Sequence, residues 1–130
     1  MSSFLLDTHI WIWMLEDSPR LQGIQRATVE DAENSLLLSV ASVWEMSVKT
    51  HAGRLTSPLR TAAHFREQLE LTNVELVPIE FEHAVTAGAL PPHHRDPFDR
   101  MIVAQAQTLG VPIVSADAKL SVYDVDLLTD

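Results

Sequence analysis

The chain has 130 residues, of which 46% are hydrophobic, so we predict one domain over residues 1–130 with a sizeable buried core. The absence of cysteine excludes disulfides and thiolate chemistry, and no run of about 18 apolar residues predicts a transmembrane helix. Nine basic and 18 acidic residues give a net charge of −9, which argues against binding a polyanion unless cations are placed locally.

The first half of the chain alternates strand and helix patterns. Its first three residues carry no basic region, so we expect no secretory signal and a cytoplasmic location. The predicted elements are, in order, strand Ser3–Leu6, helix 8–15, helix 19–33, strand 34–39 and helix Val40–His51. The second of these helices is predicted from Ser18 as N-cap and Pro19 as first helical residue, with Leu21, Ile24 and Val29 turned inward.

The second half continues the alternation. Its predicted elements are helix 58–71, strand 74–78, helix 82–90, a stiff loop at 91–95, helix Pro97–Leu109, strand 111–115 and an edge strand at 125–128. Ser57 and Pro58 repeat the N-cap and proline pattern, and Gly110 marks a helix end. Strands that alternate with helices predict an α/β fold: a doubly wound sheet of four to five mainly parallel strands with helices on both faces.

Four acidic residues lie where predicted strands end or the following helices begin. Asp7 and Asp117 follow the first and fourth strands, while Glu45 and Asp99 lie near the starts of two helices. Because ligands bind beyond the carboxyl ends of strands in such folds, we expect the four acids at one edge of the sheet. Clustered carboxylates require protonation or a bridging cation. Their oxygens suit Mg²⁺ or Mn²⁺, which predicts metal-assisted hydrolysis of a phosphodiester.

The first two acids also have structural interpretations. Asp7 is a suitable N-cap for the helix that follows it. Glu45 fits a capping box with Ser42, in which its carboxylate would bond back to the Ser42 amide. If that helix instead begins near Ser39, Glu45 lies in its second turn and has no capping role.

The other two acids have alternatives as well. Asp96 fits an N-cap, with Asp99 as a favourable charge in the first helical turn. Asp117 fits a turn residue. Only the joint placement of the four acids at one sheet edge favours a site.

Histidines and tryptophans suggest further sites. His93 and His94 fit a transition-metal pair, although a mobile surface pair is the preferred interpretation. Trp11, Trp13 and Trp44 have faces on which bases can stack, but for Trp11 and Trp44 we favour packing in the core or in a dimer.

Four segments of the sequence form a recognisable set. They are Leu5-Leu6-Asp7-Thr8-His9, then Ser42-Val43-Trp44-Glu45-Met46 followed by Lys49, then His94-Arg95-Asp96-Pro97-Phe98-Asp99-Arg100 followed by Ile102-Val103-Ala104-Gln105-Ala106, and finally Ser115-Ala116-Asp117. Together they resemble the motifs of the PIN domain, specifically of VapC-type ribonuclease toxins of bacterial toxin–antitoxin pairs. One departure is Leu120, where the family often has phenylalanine.

The resemblance implies a PIN fold and a Mg²⁺-dependent endoribonuclease in which Mn²⁺ can replace Mg²⁺. It implies that Asp7 and Asp99 bind the metal directly. Glu45 would act through water or orient the attacking water, and Asp117 would complete the site. The implied partners are an RNA substrate, a second copy of the chain, and a cognate VapB-like antitoxin in a hetero-oligomer, with no membrane. The acidic charge fits a basic partner, and we expect an antitoxin segment to place a basic side chain at the acidic site.

Three further side chains are assigned to the surroundings of the site. Ser115 is expected to hydrogen-bond a carboxylate or a water molecule. Arg95 and Arg100 are expected to hold a substrate phosphate, although Arg100 also fits an exposed helix residue.

Two alternative functions remain open at this point. The first is a catalytically inactive PIN-fold scaffold, in which the acids only cap helices. The second is a haloacid-dehalogenase-like phosphatase with Asp7 as nucleophile. That class expects a second aspartate two residues later, where this chain has His9.

Overall fold

The computed structural model describes residues 2–129, and Met1 and Asp130 lie outside the described residues. It contains a sheet of five strands: β1 Ser3–Leu6, β2 Ser35–Ser39, β3 Val74–Val77, β4 Ile113–Val114 and β5 Leu127–Leu128. The strand order is β3-β2-β1-β4-β5, and every neighbouring pair is parallel. The strand order therefore reverses between β1 and β4. The predicted doubly wound parallel sheet is confirmed.

Within residues 2–129, the sheet is accompanied by six helices: α1 Thr8–Glu16, α2 Gly23–Glu30, α3 Val40–His51, α4 Ala62–Leu71, α5 Phe81–Ala89 and α6 Pro97–Leu109. A short 3-10 helix follows at Ala118–Val122. The bounds of α3 and α6 agree with the prediction because both have strong local signals. The Ser39 hydroxyl caps α3, Asp96 caps α6 before Pro97, and Gly110 ends α6 in the left-handed conformation with φ of 69°.

The predicted start of the second helix was wrong. It begins at Gly23 instead of Pro19, because the Ser18 hydroxyl accepts the Arg20 amide at 3.2 Å and forms a local turn instead of a helix cap. This turn still buries Leu21, but Ile24 is 48% exposed and does not face inward as predicted.

The predicted start of α4 at Pro58 was also wrong. The Ser57 hydroxyl accepts the Leu59 amide at 3.1 Å, so this segment forms a turn that buries the Leu59 side chain. The helix begins at Ala62, and the Thr61 hydroxyl is its N-cap.

Two apolar cores cover the two faces of the sheet. Adjacent residues in a strand point to opposite faces, so Leu6 joins a core with Trp11 of α1 and Phe65 of α4, whereas Leu5 joins a core with Ile102 of α6. Trp11 is fully buried, and its indole nitrogen donates to the Thr72 hydroxyl at 3.1 Å, as its predicted core role requires. Among residues 2–129, no helix is both long and apolar enough to cross a membrane.

Candidate active site

Asp7 lies directly after β1, at the point where the strand order reverses. Its amide donates to the Val114 carbonyl at 2.9 Å, which extends the pairing with β4 and holds the residue in place. The side chain is 5% exposed; one carboxylate oxygen accepts the Thr8 amide at 2.8 Å, and the other accepts the Ser115 hydroxyl at 2.7 Å. Burial raises the pKa of Asp7 above its ordinary value, and the hydrogen bond from Ser115 opposes that rise.

Ser115 follows β4 and connects several parts of the site. In addition to its bond to Asp7, its hydroxyl accepts the Asp117 amide at 2.9 Å. Its carbonyl accepts the side-chain amide of Gln25 at 2.8 Å, which ties α2 to the end of β4. The predicted hydrogen bond from Ser115 to a carboxylate is therefore present. Gln25 was not identified from the sequence, because nothing local to α2 indicates a contact with a residue so distant in the chain.

Glu45 lies in the second turn of α3, because that helix begins after Ser39. The predicted capping box with Ser42 was therefore wrong. Glu45 is 3% exposed, and its two carboxylate oxygens accept the Thr8 hydroxyl at 2.7 Å and the Lys49 ammonium group at 2.6 Å. The Ser42 and Thr8 hydroxyl oxygens are 2.8 Å apart. Since Thr8 has one hydroxyl proton and directs it to Glu45, Ser42 donates to Thr8.

Asp99 is the other predicted site acid whose pKa is raised. The N-cap of α6 is Asp96, which accepts the amides of Phe98 at 2.9 Å and Asp99 at 3.4 Å, so the Asp99 carboxylate has no capping role. Burial raises the pKa of Asp99 from 3.8 to about 7, and the charge of Asp96 is the next largest cause. The charges of the three other predicted site acids raise it further: Asp7, Glu45 and Asp117. These three acids are thus within electrostatic reach of Asp99.

Asp117 has a local structural role in addition to this electrostatic one. Its carboxylate accepts the Lys119 amide at 2.9 Å and so caps the 3-10 helix. The alternative prediction, that Asp117 is a turn residue, therefore agrees with its contact to Lys119. The Asp117 side chain remains close enough to Asp99 to raise its pKa.

The donor set of this site fits a hard divalent cation. Among residues 2–129, no three His, Asp or Glu side chains already form a complete set of metal ligands. Mg²⁺ does not require one, since it usually keeps several water molecules and binds through one or two carboxylates. Asp7 and Asp99 are acids whose burial and mutual repulsion a cation would relieve. The arrangement suits Mg²⁺ or Mn²⁺ completed by water.

The family model described as PIN domain matches residues 4–126 of this chain. The chain belongs to the PIN domain family. Ribonuclease VapC22 of Mycobacterium tuberculosis is 29% identical over 121 residues, which cover 92% of this PIN domain chain and 91% of that relative. Ribonuclease VapC16 of the same organism is 36% identical over 62 residues, which span 48% of this chain and only 43% of that relative.

Solved structures share the fold. VapBC2 from Rickettsia felis, in a crystal structure with a DNA fragment from its promoter, matches with a TM-score of 0.69 at 14% identity, covering 98% of both chains. VapBC-5 from Mycobacterium tuberculosis matches with a TM-score of 0.64 at 18% identity, covering 100% of both chains. The predicted PIN fold and the resemblance to VapC-type proteins are confirmed.

Arg100 of this PIN domain has a structural role that the sequence did not reveal. Its guanidinium donates to the carbonyls of Ala87 at 2.8 Å, Leu90 at 3.0 Å and Pro91 at 3.1 Å. A further bond at 3.2 Å reaches the His94 carbonyl. These carbonyls occupy both terminal nitrogens of the guanidinium, so Arg100 is not a simple exposed helix residue, and its phosphate-binding role stays a prediction.

Arg95 lies apart from these contacts. It is exposed and lines an apolar groove with Trp44 and Phe98, and its guanidinium makes no hydrogen bond within residues 2–129. A phosphate-binding role for Arg95 stays a prediction.

Trp44 is 56% exposed and meets the Phe98 ring edge-on at 4.8 Å. It is therefore not a core residue, and packing in a dimer remains its alternative.

The predicted surface histidine pair contacts Tyr123 and Lys119. The His94 amide donates to the Tyr123 hydroxyl at 2.9 Å, and a ring nitrogen of His94 lies 3.0 Å from the Lys119 carbonyl. His93 packs edge-on against the same tyrosine at 5.3 Å. Tyr123 thus fixes the loop that precedes α6, and the histidines serve that packing.

Proposed function

We propose that this PIN domain, formed by residues 1–130, is a Mg²⁺-dependent endoribonuclease that hydrolyses RNA phosphodiester bonds at the acidic site. The observation that carries the proposal is the raised pKa of two carboxyls: Asp7, at the reversal point of the sheet, and Asp99, whose pKa is raised in part by the charge of Asp7. A cation bound between them would favour the charged form of both carboxyls. The names of the two ribonuclease relatives support RNA as the substrate.

Each side chain has a defined task in this proposal. Asp7 and Asp99 would hold Mg²⁺, and Ser115 would keep one Asp7 oxygen oriented. Both oxygens of Glu45 already accept hydrogen bonds, so Glu45 would act on the attacking water or through a bridging water. Asp117 would add negative charge at the outer side of the site. When bound, the cation lowers the pKa of a coordinated water and neutralises charge on the phosphoryl oxygen.

The same proposal includes the partners of a toxin. The PIN domain would form a homodimer and bind a VapB-like antitoxin in a hetero-oligomer, as the names of the structurally similar VapBC proteins suggest for those proteins. The net charge of −9 favours a basic partner, and a basic antitoxin side chain at the four acids would take the place of the cation. A cytoplasmic location stays a prediction.

The proposal predicts that Asp7→Asn and Asp99→Asn each lower the rate of RNA cleavage by at least about 100-fold, since each removes a charge that holds the cation. Cleavage of fluorescent RNA would be measured with Mg²⁺ and again after chelation with EDTA. Asp126→Asn, at an exposed position before β5, is the matched control and should cleave normally. Circular dichroism checks that each variant is folded.

Two outcomes would contradict the proposal. Normal cleavage by Asp99→Asn would exclude the assigned site. An equilibrium titration without a saturable Mn²⁺ site that depends on Asp7 would instead favour the inactive scaffold. The phosphatase alternative is not retained, because the chain belongs to the PIN family and has His9 where that mechanism needs an aspartate.

A further inference from the structure

We propose that a cavity beside the acidic site binds a nucleotide that flanks the scissile phosphate of a single-stranded RNA. This inference rests on the proposed ribonuclease function and names the part of the chain that holds its substrate. The cavity has a volume of about 330 Å³ and lies between α1, the C-terminal part of α3 and the segment after α3. That volume is at the lower end of the range for small-ligand sites.

The cavity adjoins the acidic site directly. Thr8 and Glu45 line it, and they are joined by the 2.7 Å hydrogen bond that forms part of the acidic site. Thr8 also follows Asp7 in the chain and donates its amide to the Asp7 carboxylate. An RNA strand held at the acids would therefore pass the mouth of this cavity.

Three basic side chains lie at this cavity, beside the acids Glu16 and Glu45. Arg20, Lys49 and Arg54 line it, and they are three of the nine lysines and arginines in the sequence. The net charge of −9 means that this protein can bind RNA only where cations are placed locally, and this cluster supplies them. Such cations can attract a phosphate even though the overall field of the protein repels it.

Two of these cations have no partner in the described part of the chain. The guanidinium groups of Arg20 and Arg54 make no hydrogen bond or ion pair within residues 2–129, and both residues are exposed. By contrast, Arg26 is bonded to the Leu21 carbonyl and to Glu30, and Arg100 is bonded to several carbonyls. Arg20 and Arg54 thus keep their donors for a ligand, and guanidinium groups match phosphate oxygens well.

Lys49 marks the boundary between the basic and acidic parts of this region. Its ammonium group lies 2.6 Å from Glu45, and 33% of its side chain is exposed. It can keep its ion pair with Glu45 and still donate a hydrogen bond to a phosphate that enters the cavity, since an ammonium group has three N–H donors.

An aromatic wall completes the cavity. His9 and Trp13 occupy successive turns on one face of α1, with ring centroids 6.4 Å apart. Trp13 is half-buried against the core and leaves part of its ring to the cavity. Unstacked bases of single-stranded RNA bind to such rings without strong sequence preference. An acidic protein segment would use the cations but would have no need of this wall, so the chemistry favours RNA.

The test measures RNA binding by the full chain carrying Asp99→Asn, which prevents cleavage during the titration. The probe is a fluorescein-labelled random oligoribonucleotide of about 12 nucleotides, followed by fluorescence anisotropy with Mg²⁺ present. Arg20→Ala and Arg54→Ala should each weaken binding by roughly 3-fold to 10-fold and reduce the dependence of log affinity on log salt by about 0.7. Arg66→Ala on α4, which removes the same charge from an exposed position elsewhere, should leave both quantities unchanged.

A second pair of variants tests the aromatic wall. Trp13→Leu keeps an apolar contact with the core but removes the indole face, and it should weaken RNA binding by about 10-fold without changing the salt dependence. Trp44→Leu, at the exposed Trp44 on α3, is the control. Thermal melting confirms that the Trp13 variant is folded, and Trp13→Phe should restore most of the affinity.

The outcomes separate this inference from the proposed function. Equal affinity of the Arg54 and Arg66 variants would overturn the cavity as an RNA site. A loss with the arginines but none with Trp13→Leu would also overturn it, since the cavity would then be a general anion site. If the chain without Asp99→Asn never cleaves RNA, but RNA binding depends on both Arg54 and Trp13, the proposed ribonuclease fails while the RNA site stands.

Discussion

Asp7 is a buried carboxyl group on which burial and a hydrogen bond act in opposite directions. Its burial disfavours the charged form, while the hydroxyl of Ser115 donates to it at 2.7 Å and favours that form. The same hydroxyl accepts the Asp117 amide, so the orientation of Ser115 is set by its neighbours. In the proposed metal site, a proton and a cation would compete for Asp7, and Ser115 would shift that competition toward the cation.

From this follows a prediction for Ser115→Ala. Loss of a hydrogen bond to a charged group costs about 1.5–3 kcal/mol, so the pKa of Asp7 should rise further and Mn²⁺ should bind at least about 10-fold more weakly near neutral pH. Isothermal titration calorimetry measures this affinity, and the deficit should shrink as the pH is raised. Ser35→Ala, at the opposite end of the sheet, is the control. A deficit that does not change with pH would contradict this account.

At the scale of the elements, Arg100 ties α6 to the end of α5. The last carbonyls of a helix have no partner within the helix, and Arg100 of α6 donates to the Ala87 and Leu90 carbonyls at the end of α5. It also holds the His94 carbonyl in the loop before α6. Since Asp99 is the neighbouring residue, this contact fixes the position of a site carboxylate.

We therefore predict that Arg100→Met lowers the free energy of unfolding by about 2–4 kcal/mol, because it leaves several carbonyls without donors. Arg100→Lys should be intermediate, since a single ammonium group cannot reach all of them. Urea denaturation gives these values, and Arg95→Met, at an exposed position, should change stability by no more than about 0.5 kcal/mol. An Arg100→Met variant as stable as the parent would contradict the structural role.

Local signals explain which elements were predicted correctly from the sequence. Ser39, Asp96 and Gly110 end or begin helices through contacts with their immediate neighbours, so α3 and α6 were predictable. Ser18 and Ser57 carry the same residue types, but each hydroxyl closes a short turn instead. A serine that caps a helix and a serine that closes a turn make similar local hydrogen bonds. Whether a helix follows depends on the burial of residues far from these positions.

At the scale of the whole molecule, the raised pKa values determine how stability depends on pH. In the folded protein, Asp99 binds its proton up to a pKa of about 7, whereas the unfolded chain releases it near 3.8. Between these values the folded state holds more protons, so stability falls as the pH rises through this window. The stabilisation is present below 3.8 and is lost above about pH 7.

The metal-free protein should therefore melt at a higher temperature near about pH 5 than near about pH 8, opposite to ordinary acid denaturation. Added Mn²⁺ should raise the melting temperature more near about pH 8, where Asp99 is ionised. Scanning calorimetry in EDTA and in Mn²⁺ measures both effects. The net charge of −9 also changes with pH, so Asp99→Asn serves as the control and should reduce the pH dependence and the Mn²⁺ effect. If the Asp99→Asn variant showed the same pH dependence as the parent protein, Asp99 would be ruled out as the origin of that dependence.

The sequence by itself determined the α/β class, the parallel sheet and the identity of the acids, because strand alternation and helix caps depend on neighbouring residues. Tertiary structure alone decided how those acids are held. Ser115 meets Asp7 across 108 residues, and Thr8 meets Glu45 across 37. It also decided that Arg100 turns inward while Arg20 and Arg54 border one cavity. Such contacts depend on strand order and on which helix covers which face, and no local pattern specifies either of them.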